Sequence, residues 1–318
     1  MSAVRGRAVP PRRSRLRALP GWLALLFVCS AFATPAEPAP ATADVGVDVD
    51  TVVDALARRD RALIDDTIAA MRPATPGQPA LYVVGVAGDG SEDVFRNEVH
   101  FLAEHVAPRL GAEARALALV NHPDSLDEAP RPLATTANLR HALSAIAARM
   151  TPADDVLLLY LTMHGTDTHE LIVHFPPLVE EAITPAQLRA ALDDAGIVNR
   201  VLVISACYSG GFVPALRDPD TLVITAARAD RPSFGCGAES TITFFGHAWL
   251  LDGLNADTDF IAAFGLAQRT IKQQERKRRF QRSMPRIDIG ERIAPRLAQL
   301  QAAMPETPPA VYPYPLMP

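Results

Sequence analysis

The sequence predicts an α/β fold built on a mainly parallel sheet. Short, continuous runs rich in Val, Leu and Ile occur at 81–87, 155–163, 201–206 and 221–227. Uniformly apolar runs bounded by turn residues are typical of strands buried on both faces of a parallel sheet. Longer stretches with apolar residues at helical spacing separate these runs. Because strands alternate with helices along the chain, the parallel α/β class fits the sequence.

The length and charge of the chain limit its organisation and its partners. The 318 residues allow one large domain or two small ones, with ample length for a buried core. The net charge is −5 and the isoelectric point is near 5.9. An acidic chain of this kind gives no reason to expect a nucleic acid as a partner.

The first 33 residues have the pattern of an export signal. A basic segment precedes a short apolar core at 22–28, and Ala31-Phe-Ala33 follows as a cleavage pattern. The apolar stretch is too short to cross a bilayer comfortably, so we expect no stable membrane span. The protein is therefore expected to be exported, periplasmic or secreted, with an uncleaved N-terminal anchor as the alternative. Residues 34–46, rich in Ala and Pro, predict a linker.

The rest of the chain divides into three predicted parts. Residues 47–79 predict an amphipathic helix and a connector, 80–282 the main domain, and 283–318 a Pro-rich tail. Further helices of the main domain are expected at 92–110, 136–150, 241–251 and 259–272, and one more is expected to start at Thr184, which can cap it before Pro185.

Cys207 and His164 are the strongest candidates for chemistry. Cys207 ends the apolar run 201–206, and His164 ends the run 155–163 and is followed by Gly165. The carboxyl ends of parallel strands meet at one edge of a sheet, where ligands gather. A histidine beside a cysteine can convert the thiol to the nucleophilic thiolate. The pattern therefore predicts a Cys207–His164 dyad.

The motifs around these residues resemble a known family. Thr-Met-His164-Gly165 and Ser-Ala-Cys207-Tyr-Ser-Gly-Gly are similar to the two signatures of the legumain-type cysteine peptidases, peptidase family C13 of the caspase-like clan CD. The caspase branch is less similar, because Gln-Ala-Cys-x-Gly is replaced here. The resemblance runs from about residue 81 to about 254, so the C13-type domain is expected within 80–282. It implies a secreted bacterial member with a three-layer α/β/α fold.

The resemblance also implies a mechanism. Cys207 would attack a peptide carbonyl to form an acyl-enzyme, and His164 would move the protons. The backbone N–H groups of Cys207 and Gly165 would stabilise the oxyanion. This makes the protein a cysteine endopeptidase acting on a peptide or protein substrate, without a metal. A transamidase or peptide ligase using the same dyad and a non-catalytic binding module are the alternatives.

The substrate-binding residues that the resemblance implies depart from the legumain pattern. Legumains cleave after asparagine, in a pocket built from one arginine and two acidic residues. Arg96 matches the arginine, whereas Ser205 and His247 stand where the acidic residues are expected. A site that lacks the paired carboxylates loses the preference that they create. Asparagine specificity is therefore not expected.

The remaining motifs give weaker signals. Gly88-x-Gly90-x-x-Asp93 lacks the third glycine of a dinucleotide-binding fingerprint, so no cofactor is expected. The histidines outside the dyad do not fit a metal site, because their spacing does not bring them to one face or one edge; they include His100, His105, His169 and His174.

Cys236 is the only other cysteine after the predicted signal. It follows the strand expected next to that of Cys207. Oxidation could join the two thiols if their Cα atoms lie within about 7 Å. The alternative is that Cys236 is buried and inert.

Overall fold

The computed structural model describes residues 49–75, 77–127, 130–237 and 239–316. The predicted export signal and the linker that follows it lie outside these ranges. Within these ranges, no helix combines the length and apolar character needed to cross a membrane.

A six-stranded sheet forms the centre of the fold. Its strands are β1 Leu81–Ala87, β2 Ala116–Val120, β3 Val156–Thr162, β6 Asn199–Ser205, β7 Thr221–Thr225 and β8 Arg286–Ile289. Their order is β2-β1-β3-β6-β7-β8, and each pair is parallel except β7 with β8. β4 Leu171–Phe175 and β5 Val179–Ile183 form a separate antiparallel hairpin. The mainly parallel sheet is confirmed.

Helices cover both faces of the sheet and give the three predicted layers. The first face carries α1 Val49–Ala69, α4 Thr136–Ala147, α5 Pro185–Asp194 and α6 Val213–Leu216. The second carries α2 Asp93–His100, its π-helical continuation Phe101–Val106, α3 Ala107–Arg109, a π-helical segment Gly246–Leu254, α7 Phe260–Arg278 and α8 Ile293–Ala302. Thr184 caps α5 through a capping box with Gln187, as predicted.

The central strands β3 and β6 are buried along their whole length. Alternate side chains of β3 enter opposite apolar layers, so that Leu158 packs on one face and Leu159 on the other. Burying each such side chain stabilises the fold by about 1.5–3 kcal/mol. This burial explains why both strands have continuous apolar sequences, and it holds their carboxyl ends in a fixed position.

The chain beyond residue 282, predicted as a tail, adds two elements to the domain. β8 pairs with β7, and α8 buries Ile293 and Leu297 in the core. The segment 305–316 then lies against α2, where the Tyr314 hydroxyl is 2.9 Å from His100 Nδ1, and against Asn255, directly after the π-helical segment Gly246–Leu254. There Ala310 exchanges two hydrogen bonds with the Asn255 side chain, at 2.8 and 2.9 Å. The domain therefore continues well past the predicted boundary.

The buried carboxylate of Glu98 joins α2 to β3 and to the segment around Thr243. Glu98 of α2 accepts hydrogen bonds from the Tyr160 and Thr162 hydroxyls of β3, at 2.7 and 2.8 Å. It also accepts the backbone N–H of Thr243 at 2.7 Å. Burial raises the pKa of Glu98. The segment around Thr243 is thus fixed against the strand that leads to His164.

Candidate active site

Cys207 lies two residues beyond the end of β6, where the chain turns sharply. Tyr208, directly after it, has φ +55° and ψ 13°, a left-handed conformation that is uncommon for a residue with a side chain. A 3₁₀ turn, Ser209–Phe212, follows. The backbone N–H of Tyr208 donates to the carbonyl of Arg231 at 2.8 Å and secures the turn. The turn therefore leaves the Cys207 side chain at the sheet edge.

His164 lies at the same edge on the neighbouring strand. Thr162 of β3 and Ser205 of β6 are register partners, and His164 and Cys207 each follow two residues later. The His164 ring meets the ring of Phe95 edge to face, with centroids 5.2 Å apart. The two candidate residues line one cavity, with Phe95 as a wall.

Gly165 permits the close approach of the two strand ends. A Cβ atom at this position would lie 2.3 Å from the carbonyl oxygen of Cys207, which no side chain could tolerate. Among the described residues, neither the backbone N–H of Gly165 nor that of Cys207 donates to a backbone carbonyl. Both N–H groups lie at the sheet edge that carries the thiol.

The segment 231–237, which we call the covering segment, lies against the partly exposed thiol of Cys207. The N–H of Ser233 donates to Cys207 Sγ at 3.2 Å, and Sγ lies 3.5 Å from the Ser233 carbonyl oxygen. The cavity that Cys207 shares with His164 measures only about 10 Å³, the lower limit for one water molecule. Burial raises the pKa of the Cys207 thiol. We refer to this arrangement, in which little space remains beside the thiol, as the closed state.

Glu92, just before α2, contacts both the histidine and the covering segment. Its Oε2 atom lies 3.4 Å from His164 Nε2. The same oxygen accepts the backbone N–H of Gly237 at 3.1 Å. Sequence reasoning missed Glu92 because an acidic residue at the start of a helix is common for electrostatic reasons alone.

Cys236 lines the same small cavity as Cys207. Both cysteines are free thiols. Burial, followed by the nearby charges of Cys207 and Glu92, raises the pKa of Cys236 to about 11. The covering segment therefore brings a second thiol to the cavity at Cys207, and the raised pKa favours the neutral form of that thiol.

The three predicted substrate-binding residues lie in three different settings. Ser205 is 2% exposed, faces the Thr243 hydroxyl at 3.3 Å and lines the cavity at Cys207. His247 lines a neighbouring, larger pocket. Arg96 lines neither space, because its guanidinium pairs with Asp124 at 2.8 Å and lies over the Tyr314 ring. The structure does not bring Arg96 together with the other two. The substrate-binding role assigned to these residues stays a prediction.

The other histidines do not gather at a common point. His169 packs against Gly211, His174 lies in β4, and His100 Nδ1 is 2.9 Å from the Tyr314 hydroxyl. Within the described ranges, no group of His, Cys, Asp and Glu side chains has a geometry that could hold a metal ion.

Comparison with known proteins adds a family match. The sequence model of the peptidase C13 family matches residues 137–295, which is half of the chain. This range contains His164 and Cys207. Caspase-1 from Spodoptera frugiperda is a similar solved structure at 14% identity and a TM-score of 0.43. The likeness covers 70% of this chain and 94% of that chain, and the score is too low to support a conclusion. Comparison with curated proteins gives no match.

The closed state predicts slow alkylation of both thiols. Only the thiolate reacts with iodoacetamide, and burial raises the pKa of Cys207. The alkylation rate of Cys207 should therefore be low at neutral pH and should rise with pH, with a midpoint above the pKa of an exposed cysteine. The alkylation rate of Cys236 should rise near pH 11, because its pKa is raised to about 11. Mass spectrometry of Cys207→Ala and Cys236→Ser without substrate assigns the two profiles. A rate at Cys207 that is already maximal at pH 6 would contradict the closed state.

Proposed function

Since the chain belongs to the peptidase C13 family, we propose that this cysteine peptidase is an endopeptidase that forms an acyl-enzyme on Cys207. The observation that carries the proposal is the register of β3 with β6, which brings His164 and Cys207 to one cavity at the sheet edge. The pairing supplies a nucleophile and a proton carrier on two rigid strands.

The reaction begins when a substrate displaces Ser233 from the thiol. His164 takes the Cys207 proton, and Sγ attacks the peptide carbonyl carbon to give a tetrahedral oxyanion. The C–N bond then breaks as His164 returns the proton to the leaving amine. Water, deprotonated by His164, attacks the thioester and releases the acid and the free thiol.

The oxyanion is stabilised by the backbone N–H groups of Gly165 and Cys207. Neither donates to a backbone carbonyl within the described part of the chain. Because Gly165 lacks a side chain, the substrate carbonyl can approach between the two strand ends. Removing one such donor typically costs about 10²–10³ in turnover in enzymes that use an oxyanion hole.

Glu92 orients His164 for this role. Its carboxylate faces Nε2, which favours the tautomer that carries its hydrogen on Nε2 and leaves Nδ1 as the base. Phe95 fixes the ring plane from the side. Glu92 is thus a positioning residue that acts through His164.

Replacing either member of the dyad is expected to abolish turnover without unfolding the protein. Cys207→Ala removes the nucleophile and His164→Ala removes the proton carrier, and each should lower kcat/KM by at least about 10³. Peptide cleavage measures the loss, and thermal unfolding is the folding control. Residual activity of Cys207→Ala within tenfold of the parent would exclude Cys207 as the nucleophile.

Neutralising Glu92 tests the positioning role. Glu92→Gln keeps an acceptor for Gly237 but removes the charge beside His164. We expect kcat to fall about 10- to 100-fold, with KM and the melting temperature unchanged. Asp93→Asn, the adjacent carboxylate, is the matched control. If kcat of Glu92→Gln stays within twofold of the parent, Glu92 does not orient the histidine.

The two thiols suggest a redox control of the same site. With hydrogen peroxide as the oxidant, the thiols of Cys207 and Cys236 would form one disulfide, and the peroxide would be reduced to two water molecules. Their shared cavity supports this proposal, since a disulfide needs a short separation. The nucleophile would then be blocked until a reductant restores it.

Peroxide treatment of the parent and of Cys236→Ser tests this control. The parent should lose two free thiols and all activity, and both should return with dithiothreitol. Cys236→Ser should not form the disulfide, and its Cys207 should pass to higher oxidation states that dithiothreitol does not reverse. Identical loss and recovery in both proteins would mean that Cys207 is oxidised alone.

A further inference from the structure

A larger pocket lies beside the closed catalytic cavity. It measures about 420 Å³ and is bounded by the segment 240–247 and the last turns of α7. Thr243 forms part of the wall of both spaces. Gly235 borders the pocket, whereas its neighbours Phe234 and Cys236 border the cavity at Cys207. A single layer of chain, the covering segment, therefore lies between this pocket and the cavity at Cys207.

The pocket is lined by positive charge without a compensating carboxylate. The two cations are Lys277 and Arg278 at the end of α7, and the imidazole of His247 lines the pocket from the π-helical segment. Among the described lining residues none is acidic. The carboxylate of Asp252, outside the pocket lining, lies 3.0 Å from His247 Nδ1. The two α7 cations therefore have no anionic partner in the pocket.

The arrangement differs from an ordinary solvated helix end. Arg278 is exposed, but its guanidinium lies over the Phe244 ring at 5.2 Å. Phe244 belongs in turn to an aromatic cluster with Phe234 of the covering segment and Phe280. Packing thus holds one cation at the wall of a concave site and links it to the segment that must move for catalysis.

We propose that this basic pocket, formed by Lys277, Arg278 and His247, binds the acidic side chain of a substrate residue that flanks the scissile bond. The inference rests on the proposed peptidase function and names its substrate class. When the covering segment is displaced, the pocket and the catalytic cavity become continuous, and a side chain next to the reacting carbonyl can enter. Two cations facing a carboxylate give charge-assisted hydrogen bonds that an amide or an alkyl group does not.

Cleavage of matched peptides tests the proposal. Two series carry Asp, Asn or Leu at P1 or at P1′ in an otherwise constant sequence, and kcat/KM is measured for each. In one of the two series we expect kcat/KM for the Asp peptide to exceed that for the Asn peptide by at least about tenfold, because charge-assisted pairing stabilises the bound carboxylate. In Lys277→Gln/Arg278→Gln the Asp-to-Asn ratio should fall to about one. Lys272→Gln/Arg276→Gln, which removes two charges from the same helix outside the pocket, should retain the parental ratio.

Binding gives a readout that does not need turnover. Fluorescence anisotropy of the Asp and Asn peptides is measured with Cys207→Ala, alone and combined with the pocket variant. If the Asp peptide binds more tightly than the Asn peptide and the pocket variant abolishes this difference, the inference is supported even when no peptide is cleaved. In that case only the proposed function fails. Cleavage without an Asp preference overturns the pocket and leaves the proposed function intact. Neither cleavage nor binding overturns both.

Discussion

The parallel pairing of β3 with β6 is the constraint on which the candidate site depends. The two strands are buried on both faces, and their register holds His164 and Cys207 at equal distances beyond the last paired residues. A one-residue slip would send every side chain of one strand to the opposite layer. The apolar core thus fixes the position of two polar residues at its edge, and Gly165 lets their backbones meet.

Two carboxylates, Glu92 just before α2 and Glu98 within it, have different roles at this edge of the sheet. Glu98 is fully buried and joins β3 to the segment that carries Thr243. Glu92 is partly exposed and contacts His164 and Gly237. The first joins a helix to a strand of the sheet, whereas the second touches the covering segment beside Cys207. One short stretch of the chain thus contacts both the buried frame of the site and the segment that lies against the thiol.

The sequence reveals the parts whose stability is local or periodic. The central strands are predictable because burial on both faces requires continuous apolar runs, and the Cys207 and His164 positions follow from strand ends. The covering segment is not predictable, because Ser233 contacts the thiol through its backbone, which any residue possesses. The order of the segment 305–316 also escapes prediction, since its partners, such as Asn255, are distant in sequence. The π-helical segments leave no periodic signal of their own.

The docked segment 305–316 has a consequence for the order in which the protein matures. The Tyr312 hydroxyl donates to the Thr241 carbonyl at 2.7 Å, and the Thr241 hydroxyl donates to the Pro315 carbonyl at 2.6 Å. Leu316 completes the wall of the basic pocket. During synthesis, the strands that carry His164 and Cys207 emerge from the ribosome long before these residues do. The nascent chain can thus bring His164 and Cys207 together while the adjoining pocket still lacks one wall.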